Sequence, residues 1–181
     1  GGQFRGCRLQ QDRLNQAVAA LQGRLAGFQF IKFRIGDDGF VVNLTSEAVT
    51  TASESLTGLV RDLGATGFLV NDRPVFGSPT VLYIYGEAPG RTWRLRVSHD
   101  AFFQADPTVV QRITDRMAEV IEAERGPNRL TENLLDLYAG VGTFGILLAG
   151  KVLGVYCVEI SKSAAEDLEF NMSENNLTNL V

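Results

Sequence analysis

Apolar positions repeat with two different periods along this chain, and the pattern changes after residue 98. Leu14, Val18, Leu21 and Leu25 recur at helical spacing and predict an amphipathic helix over 12–26. Ile31, Phe33 and Ile35 alternate with Lys32 and Arg34, which predicts a strand. Asp37-Asp38-Gly39 has turn chemistry, so Phe40-Val41-Val42-Asn43-Leu44 reads as the return strand of a hairpin. Leu56, Leu59, Val60 and Leu63 mark a second helix, with Gly64 and Gly67 past its end, where a C-cap glycine belongs. Residues 68–70 and 81–85 are strand-like, and Trp93, Leu95 and Val97 alternate with Arg94 and Arg96 in a further strand. Residues 1–98 therefore read as a small α+β layer.

Beyond it, Asp106-Pro107 combines an N-cap residue with proline at the first helical position. Val109, Val110, Ile113, Met117, Val120 and Ile121 give the helix that follows an apolar stripe, and Gly126-Pro127-Asn128 breaks it. A strand over 134–138, a glycine-rich loop, a helix over 143–149, a strand over 152–158 and a helix from about 163 come next. Ser163 and Glu166 have capping-box spacing in that last helix. Strand–helix–strand–helix is the opening of an α/β, doubly wound parallel sheet. A third strand begins near Val181. Two or three parallel strands make a poor self-contained sheet, because both faces need cover. The expected organisation is a first domain over 1–98 and the N-terminal part of a second over 99–181, within a larger protein.

Composition narrows the classes. At 181 residues, 45% hydrophobic, with mean hydropathy +0.02, the chain can bury a core. It has no stretch approaching a membrane span. Cys7 and Cys157 are the only cysteines and His99 the only histidine, so neither a disulfide framework nor a conventional zinc site is expected. A reducing, cytoplasmic location follows. Asn-x-Ser/Thr triplets begin at Asn43, Asn171 and Asn176 and read as chance. Net charge is −4, with a slight basic excess before residue 100 and an acidic excess after it. That balance neither demands nor excludes a nucleic-acid partner.

The chemistry concentrates in Leu134-Leu135-Asp136-Leu137-Tyr138-Ala139-Gly140-Val141-Gly142-Thr143-Phe144-Gly145. Gly140 and Gly142 stand where the chain turns sharply after a strand, and the next helix is expected to point unpaired N–H groups at a ligand. The strand over 152–158 delivers Glu159 to the edge where open α/β sheets bind ligands, and a carboxylate there can accept both hydroxyls of a ribose. Two cofactor readings compete. Gly140-x-Gly142-x-x-Gly145 with Glu159 fits a dinucleotide fingerprint. Asp136, four residues before Gly140, instead suits S-adenosyl-L-methionine in a class I methyltransferase. A pyrophosphate site wants no added carboxylate, whereas a cofactor bearing a sulfonium and an ammonium tolerates or uses one. The plain alternative is that the glycines only build a tight turn.

Three stretches together resemble the RNA 5-methyluridine (uracil-C5) methyltransferases. One is Val97-Ser98-His99-Asp100-Ala101-Phe102-Phe103-Gln104-Ala105-Asp106, in which Asp106 replaces the family's usual Asn. The second is Leu134 to Gly145. The third is Val155 to Ile160 with Ala164-Ala165-Glu166-Asp167 and Asn171 through Asn179. The likeness is strong over 97–181 and collinear but weaker over about 6–96. It implies a Rossmann-like catalytic domain preceded by a small α+β domain, S-adenosyl-L-methionine as cofactor, and transfer or ribosomal RNA as partner, without membrane or metal. It implies cofactor contacts from Gln104, Tyr138, Gly140, Gly142, Thr143 and Glu159, the last on the ribose.

The family's reaction needs a Cys thiolate that adds to uracil carbon 6 and a base that takes the proton from carbon 5. The resemblance places both beyond this chain, so no catalytic residue is assigned, and the 181 residues alone are expected to be inactive. Cys157 is expected to be buried and inert, and Cys7 to be structural. His99 is read as structural. Arg91, Arg94 and Arg96 around Trp93 read as a solvated face over a core residue, with phosphate contact and base stacking as the second reading. The other functional classes are a non-catalytic RNA- or protein-binding module with a vestigial loop, and a NAD-dependent oxidoreductase.

Overall fold

The computed structural model describes residues 12–87, 91–104, 106–124 and 133–181. Cys7 and the Gly126-Pro127-Asn128 break lie outside them. The chain divides into two compact units, 1–81 and 82–181.

In the first unit, β1 (Phe30–Gly36) and β2 (Gly39–Thr45) form the expected hairpin, paired from Phe30↔Thr45 to Gly36↔Gly39 around Asp37-Asp38. β2 then pairs in parallel with β3 (Gly67–Val70), and β3 pairs antiparallel with β4 (Arg73–Gly77), giving the order β1-β2-β3-β4. β4 escaped the sequence reading because Pro74 disfavours a strand, and proline is confined to sheet edges. It forms one edge of this sheet. α1 (Asp12–Leu21) ends earlier than expected, where Gly23 turns left-handed at φ 77°. Leu25 nevertheless packs against the core. Ala17 and Leu21 of α1, with Leu56 and Val60 of α2 (Glu54–Asp62), bury Phe40, Val42, Leu44, Phe68 and Val70.

α2 starts at Ser53, whose Oγ accepts the Leu56 N–H at 3.2 Å. Past its end, Gly64 takes the left-handed conformation that a cap requires, at φ 78°. Gly67 is not a second cap. It lies in β3, and a Cβ there would come within 1.8 Å of the Ser78 carbonyl oxygen. Close backbone approach is what requires glycine there.

The second unit holds most of β5 (Thr80–Glu87), then β6 (Arg91–Ser98), α3 (Pro107–Glu124), β7 (Leu134–Leu137), α4 (Thr143–Leu148), β8 (Val155–Val158) and α5 (Lys162–Glu174). β5 and β6 form a two-stranded sheet. β7 and β8 pair in parallel, Leu134↔Val155 to Leu137↔Val158, with α4 between them in sequence, as the strand–helix order predicted. Val181 N–H donates to the Val155 carbonyl at 2.8 Å, and Cys157 N–H to the Val181 carbonyl at 2.7 Å, so a third parallel strand starts beside β8. The fold class is α/β, Rossmann-like in this unit.

β6 and α5 are bound by hydrogen bonds from the backbone N–H groups of Arg94, Arg96 and Ser98, both elements lying within the unit 82–181. Asp106 does cap α3, its Oδ1 accepting the Thr108 N–H at 2.9 Å. The stripe that α3 buries is Val110, Thr114 and Ala118 rather than the purely aliphatic one expected, and Val109, Ile113 and Val120 face solvent. Thr114 can be buried because its hydroxyl donates to the Val110 carbonyl at 2.9 Å. At α5 the N-cap is Ser161, with no capping box between Ser163 and Glu166. Among the described residues no helix is long and apolar enough to cross a membrane.

Candidate functional site

The site is built where β7 ends. Leu134 and Asp136 point to one face of β7, Leu135 and Leu137 to the other. Tyr138 leaves the strand at φ 64°, a left-handed conformation that costs a non-glycine residue about 1–2 kcal/mol. Its side chain is 89% exposed. Gly140 (φ 58°) and Gly142 (φ 83°) complete the turn. The space over Gly140 is open: the nearest atom to a Cβ placed there is the Phe102 carbonyl oxygen at 3.8 Å. Over Gly142 the space is filled, with Leu168 Cδ1 at 2.2 Å from that position. Gly145 packs α4 against β8, its Cβ position 3.1 Å from both Cys157 Sγ and Val155 Cγ1. The three glycines thus do three separate things.

β8 brings Glu159 across this loop. One carboxylate oxygen accepts the Gly140 N–H at 2.7 Å, and the other accepts the N–H groups of Ile160 at 2.8 Å and Ser161 at 2.7 Å. The Ser161 bond, helped by those from Gly140 and Ile160 and opposed by partial burial, holds the carboxyl below its ordinary range. Asp136 serves the loop from beneath: its Oδ2 accepts the Gly145 N–H at 3.1 Å. Burial raises its pKa, and the Gly145 bond opposes that rise only in part. The Gly142 N–H goes to the Ala139 carbonyl at 2.9 Å. The expectation that the helix after the loop offers unpaired N–H groups to a ligand is therefore corrected at Gly145, and the loop's own Gly140 and Gly142 N–H groups are taken as well. All three are held by acceptors of the protein, two of them carboxylates.

The Phe-Phe-Gln segment reaches the same place. Phe103 is buried and stacks on Tyr83 at 4.2 Å between ring centroids, which fixes the chain on either side of it. Phe102 is 82% exposed and lends its carbonyl to the surroundings of Gly140, while Gln104 is exposed. The structure thus gathers Gly140, Glu159 and the Phe102 carbonyl. Thr143 opens α4, and Tyr138 stands in solvent beside them. Ile160, 97% exposed next to Glu159, was not singled out from sequence. An aliphatic residue immediately after a strand-end acid was the available signal.

Other candidates resolve plainly. Cys157 is half-buried, and burial together with the Asp136 carboxylate pushes its thiol up to about 12, so it is protonated and a poor nucleophile near neutrality. His99 is buried. Trp93 is 2% exposed and cannot stack a base. The arginine face of β6 is not simply solvated: Arg96 Nε pairs with buried Asp167 at 2.6 Å, and its guanidinium lies over the Phe170 ring.

A sequence model of the tRNA (uracil-5-)-methyltransferases matches residues 85–181. The chain belongs to that family. Among its relatives, a tRNA/tmRNA (uracil-C(5))-methyltransferase of Pseudomonas fluorescens is 30% identical, over 92% of this chain and 45% of the relative. An uncharacterized RNA methyltransferase of Thermosynechococcus vestitus is 27% identical, over 96% of this chain and 43% of the relative. This chain therefore spans less than half the length of either. The tRNA (uracil-54, C5)-methyltransferase of Pyrococcus abyssi, solved with S-adenosyl-L-homocysteine, superposes with a TM-score of 0.63 at 16% identity. That match covers 93% of this chain and 45% of the other, and it supports the fold.

Proposed function

We propose that this chain is the cofactor-binding portion of an S-adenosyl-L-methionine-dependent enzyme that methylates carbon 5 of uridine in transfer or ribosomal RNA. The observation that carries the cofactor assignment is the pair of carboxylates on the glycine loop. Glu159 holds the Gly140 N–H and Asp136 the Gly145 N–H, at 2.7 and 3.1 Å. A pyrophosphate needs such N–H groups free and no anions beside them. A cationic cofactor is attracted by the same arrangement. This favours S-adenosyl-L-methionine over a nicotinamide dinucleotide, although the Gly-x-Gly-x-x-Gly spacing suits either.

When bound, S-adenosyl-L-methionine supplies a methyl group on a sulfonium. The chain's own residues do the holding. Glu159 accepts the ribose hydroxyls, having a carboxylate already ionised by its backbone donors. Gly140 leaves room for the ligand against the backbone. Tyr138 and Gln104 line the site from either side, and Gly142 and Thr143 fix the turn between strand and helix. The Cys nucleophile and the general base belong to the part of the protein beyond this chain. RNA is the partner and the cytoplasm the location.

Calorimetric titration of the chain with S-adenosyl-L-homocysteine, alongside NADH and a Glu159→Ala variant, tests this reading. Binding of S-adenosyl-L-homocysteine that weakens in the variant, with NADH silent, is expected. Binding of NADH with no response to S-adenosyl-L-homocysteine would overturn the cofactor assignment.

A further inference from the structure

Asp167 and Asn171 of α5 and its C-cap residue Asn175 follow one another at four-residue spacing, and the side chain of each is bonded to the backbone of β6. Asp167 Oδ2 accepts the Ser98 N–H at 2.6 Å. Asn171 Oδ1 accepts the Arg96 N–H at 2.7 Å, and its Nδ2 donates to the Arg96 carbonyl at 3.0 Å. Asn175 repeats the pattern on Arg94, at 2.9 and 2.8 Å. The spacing works because four helical residues rise about 6 Å and two strand residues about 6.6 Å. Side-chain amides therefore satisfy successive same-edge backbone groups of β6, in place of a neighbouring strand.

The middle rung also reaches the glycine loop. Asn171 is fully buried, and its Nδ2 also donates to the Val141 carbonyl at 3.0 Å. Val141 lies between the two left-handed glycines of the loop. One carboxamide thus joins the strand that leads into Phe102-Phe103-Gln104 to the loop that receives Glu159. Both amide protons and one oxygen lone pair are in use, and no other uncharged side chain of that size offers the same set.

We propose that Asn171 is a positioning residue for the cofactor loop, setting its place relative to β6, whereas Asn175 holds only helix to strand. For ligand affinity this rests on the loop being the cofactor site. For loop order it stands without that reading.

The test compares Asn171→Ala, Asn171→Leu and Asn175→Ala in the 181-residue chain. Leucine removes both donors and the acceptor, roughly retains the volume and buries no charge, so it carries the experiment if the cavity left by alanine prevents folding. Amide hydrogen exchange at Gly142, whose N–H bonds to the Ala139 carbonyl, is the readout that a merely structural role would not move. Expected is exchange at Gly142 at least tenfold faster in the Asn171 variants than their change in global stability explains. S-adenosyl-L-homocysteine affinity should fall at least tenfold in parallel. Asn175→Ala should leave both within twofold once its stability loss is allowed for. Equal effects from the two positions, or unchanged Gly142 exchange in the Asn171 variants, would overturn the proposal. A wild-type chain that bound no S-adenosyl-L-homocysteine would count against the cofactor reading instead, and the exchange comparison would still decide the role of Asn171.

Discussion

Glu159 and Gly140, nineteen residues apart in sequence, meet at 2.7 Å, carboxylate oxygen to backbone N–H. That bond closes the loop after β7 against the end of β8 and leaves the carboxylate at the mouth of the turn. It makes Glu159 both a part of the loop's structure and the group we assign to the ribose.

The pH dependence of the loop follows from that double role. Because backbone N–H groups lower the Glu159 pKa in the folded chain, its contribution is fully present above the ordinary Glu value. It is lost only as pH falls through the depressed folded value. The Gly140 amide proton shift, followed by NMR, should therefore titrate with a midpoint below the ordinary Glu value of about 4.3. A Glu159→Gln chain should show no such titration. A midpoint at or above that value in the wild type would contradict the hydrogen-bond geometry.

The same substitution should be felt by the ligand. Hydrogen bonds to a charged group contribute about 1.5–3 kcal/mol, so Glu159→Gln is expected to weaken S-adenosyl-L-homocysteine about ten- to hundredfold. Calorimetry measures this, and a change under threefold would remove Glu159 from the binding role.

Asp136 shifts in the opposite direction, and its partner thiol shifts with it. Burial raises the Asp136 pKa in the folded chain, so the native state holds its proton more tightly than the unfolded chain. Stability then falls as pH rises from the unfolded value through the folded one. Asp136→Asn, which keeps an acceptor for the Gly145 N–H, should be at least as stable as wild type near neutrality and should lose that pH dependence. It also removes the carboxylate that helps raise Cys157 to about 12. In a Cys7→Ser background, wild-type Cys157 should react slowly with iodoacetamide near pH 8.5 and the Asp136→Asn chain faster. Equal rates would show that the carboxylate does not act on the thiol.

Much of this molecule could be read from sequence where one local signal decided the outcome. Asp37-Asp38-Gly39 between alternating strands gave the hairpin, Asp106-Pro107 gave the start of α3, and Gly64 gave the end of α2. The meeting of Gly140 with Glu159 followed from strand–loop–helix–strand order, because parallel strands bring their C-terminal ends together. What stayed hidden depended on partners distant in sequence. Arg94 and Arg96 alternate as a solvent-facing row would, and only α5, whose bonded residues lie more than seventy residues later, covers Arg96 in part while Arg94 stays exposed. Asp167 and Asn171 are polar and fully buried, a combination that periodicity assigns to the surface. Gly67 passed for a helix cap because its close approach is to Ser78, the residue just past a strand, β4, that Pro74 had disguised.

The two left-handed glycines should separate stability from binding. Gly142→Ala places a methyl group 2.2 Å from Leu168 Cδ1 at φ 83°, combining a strained backbone with an overfilled core. The costs are about 1–2 kcal/mol for the backbone and about 1–3 kcal/mol for the packing, so thermal or denaturant unfolding should register a loss of several kcal/mol. Gly140→Ala meets open space at φ 58° and should lose only the backbone contribution, about 1–2 kcal/mol. Its methyl group, however, projects into the open space over the loop, where the nearest atom is the Phe102 carbonyl oxygen at 3.8 Å. Affinity for S-adenosyl-L-homocysteine should therefore fall in Gly140→Ala by more than its stability loss explains. In Gly142→Ala the stability loss should come first, with binding in the remaining folded fraction the less affected. If Gly140→Ala bound as tightly as wild type, the open space over that residue would not be where the ligand lies.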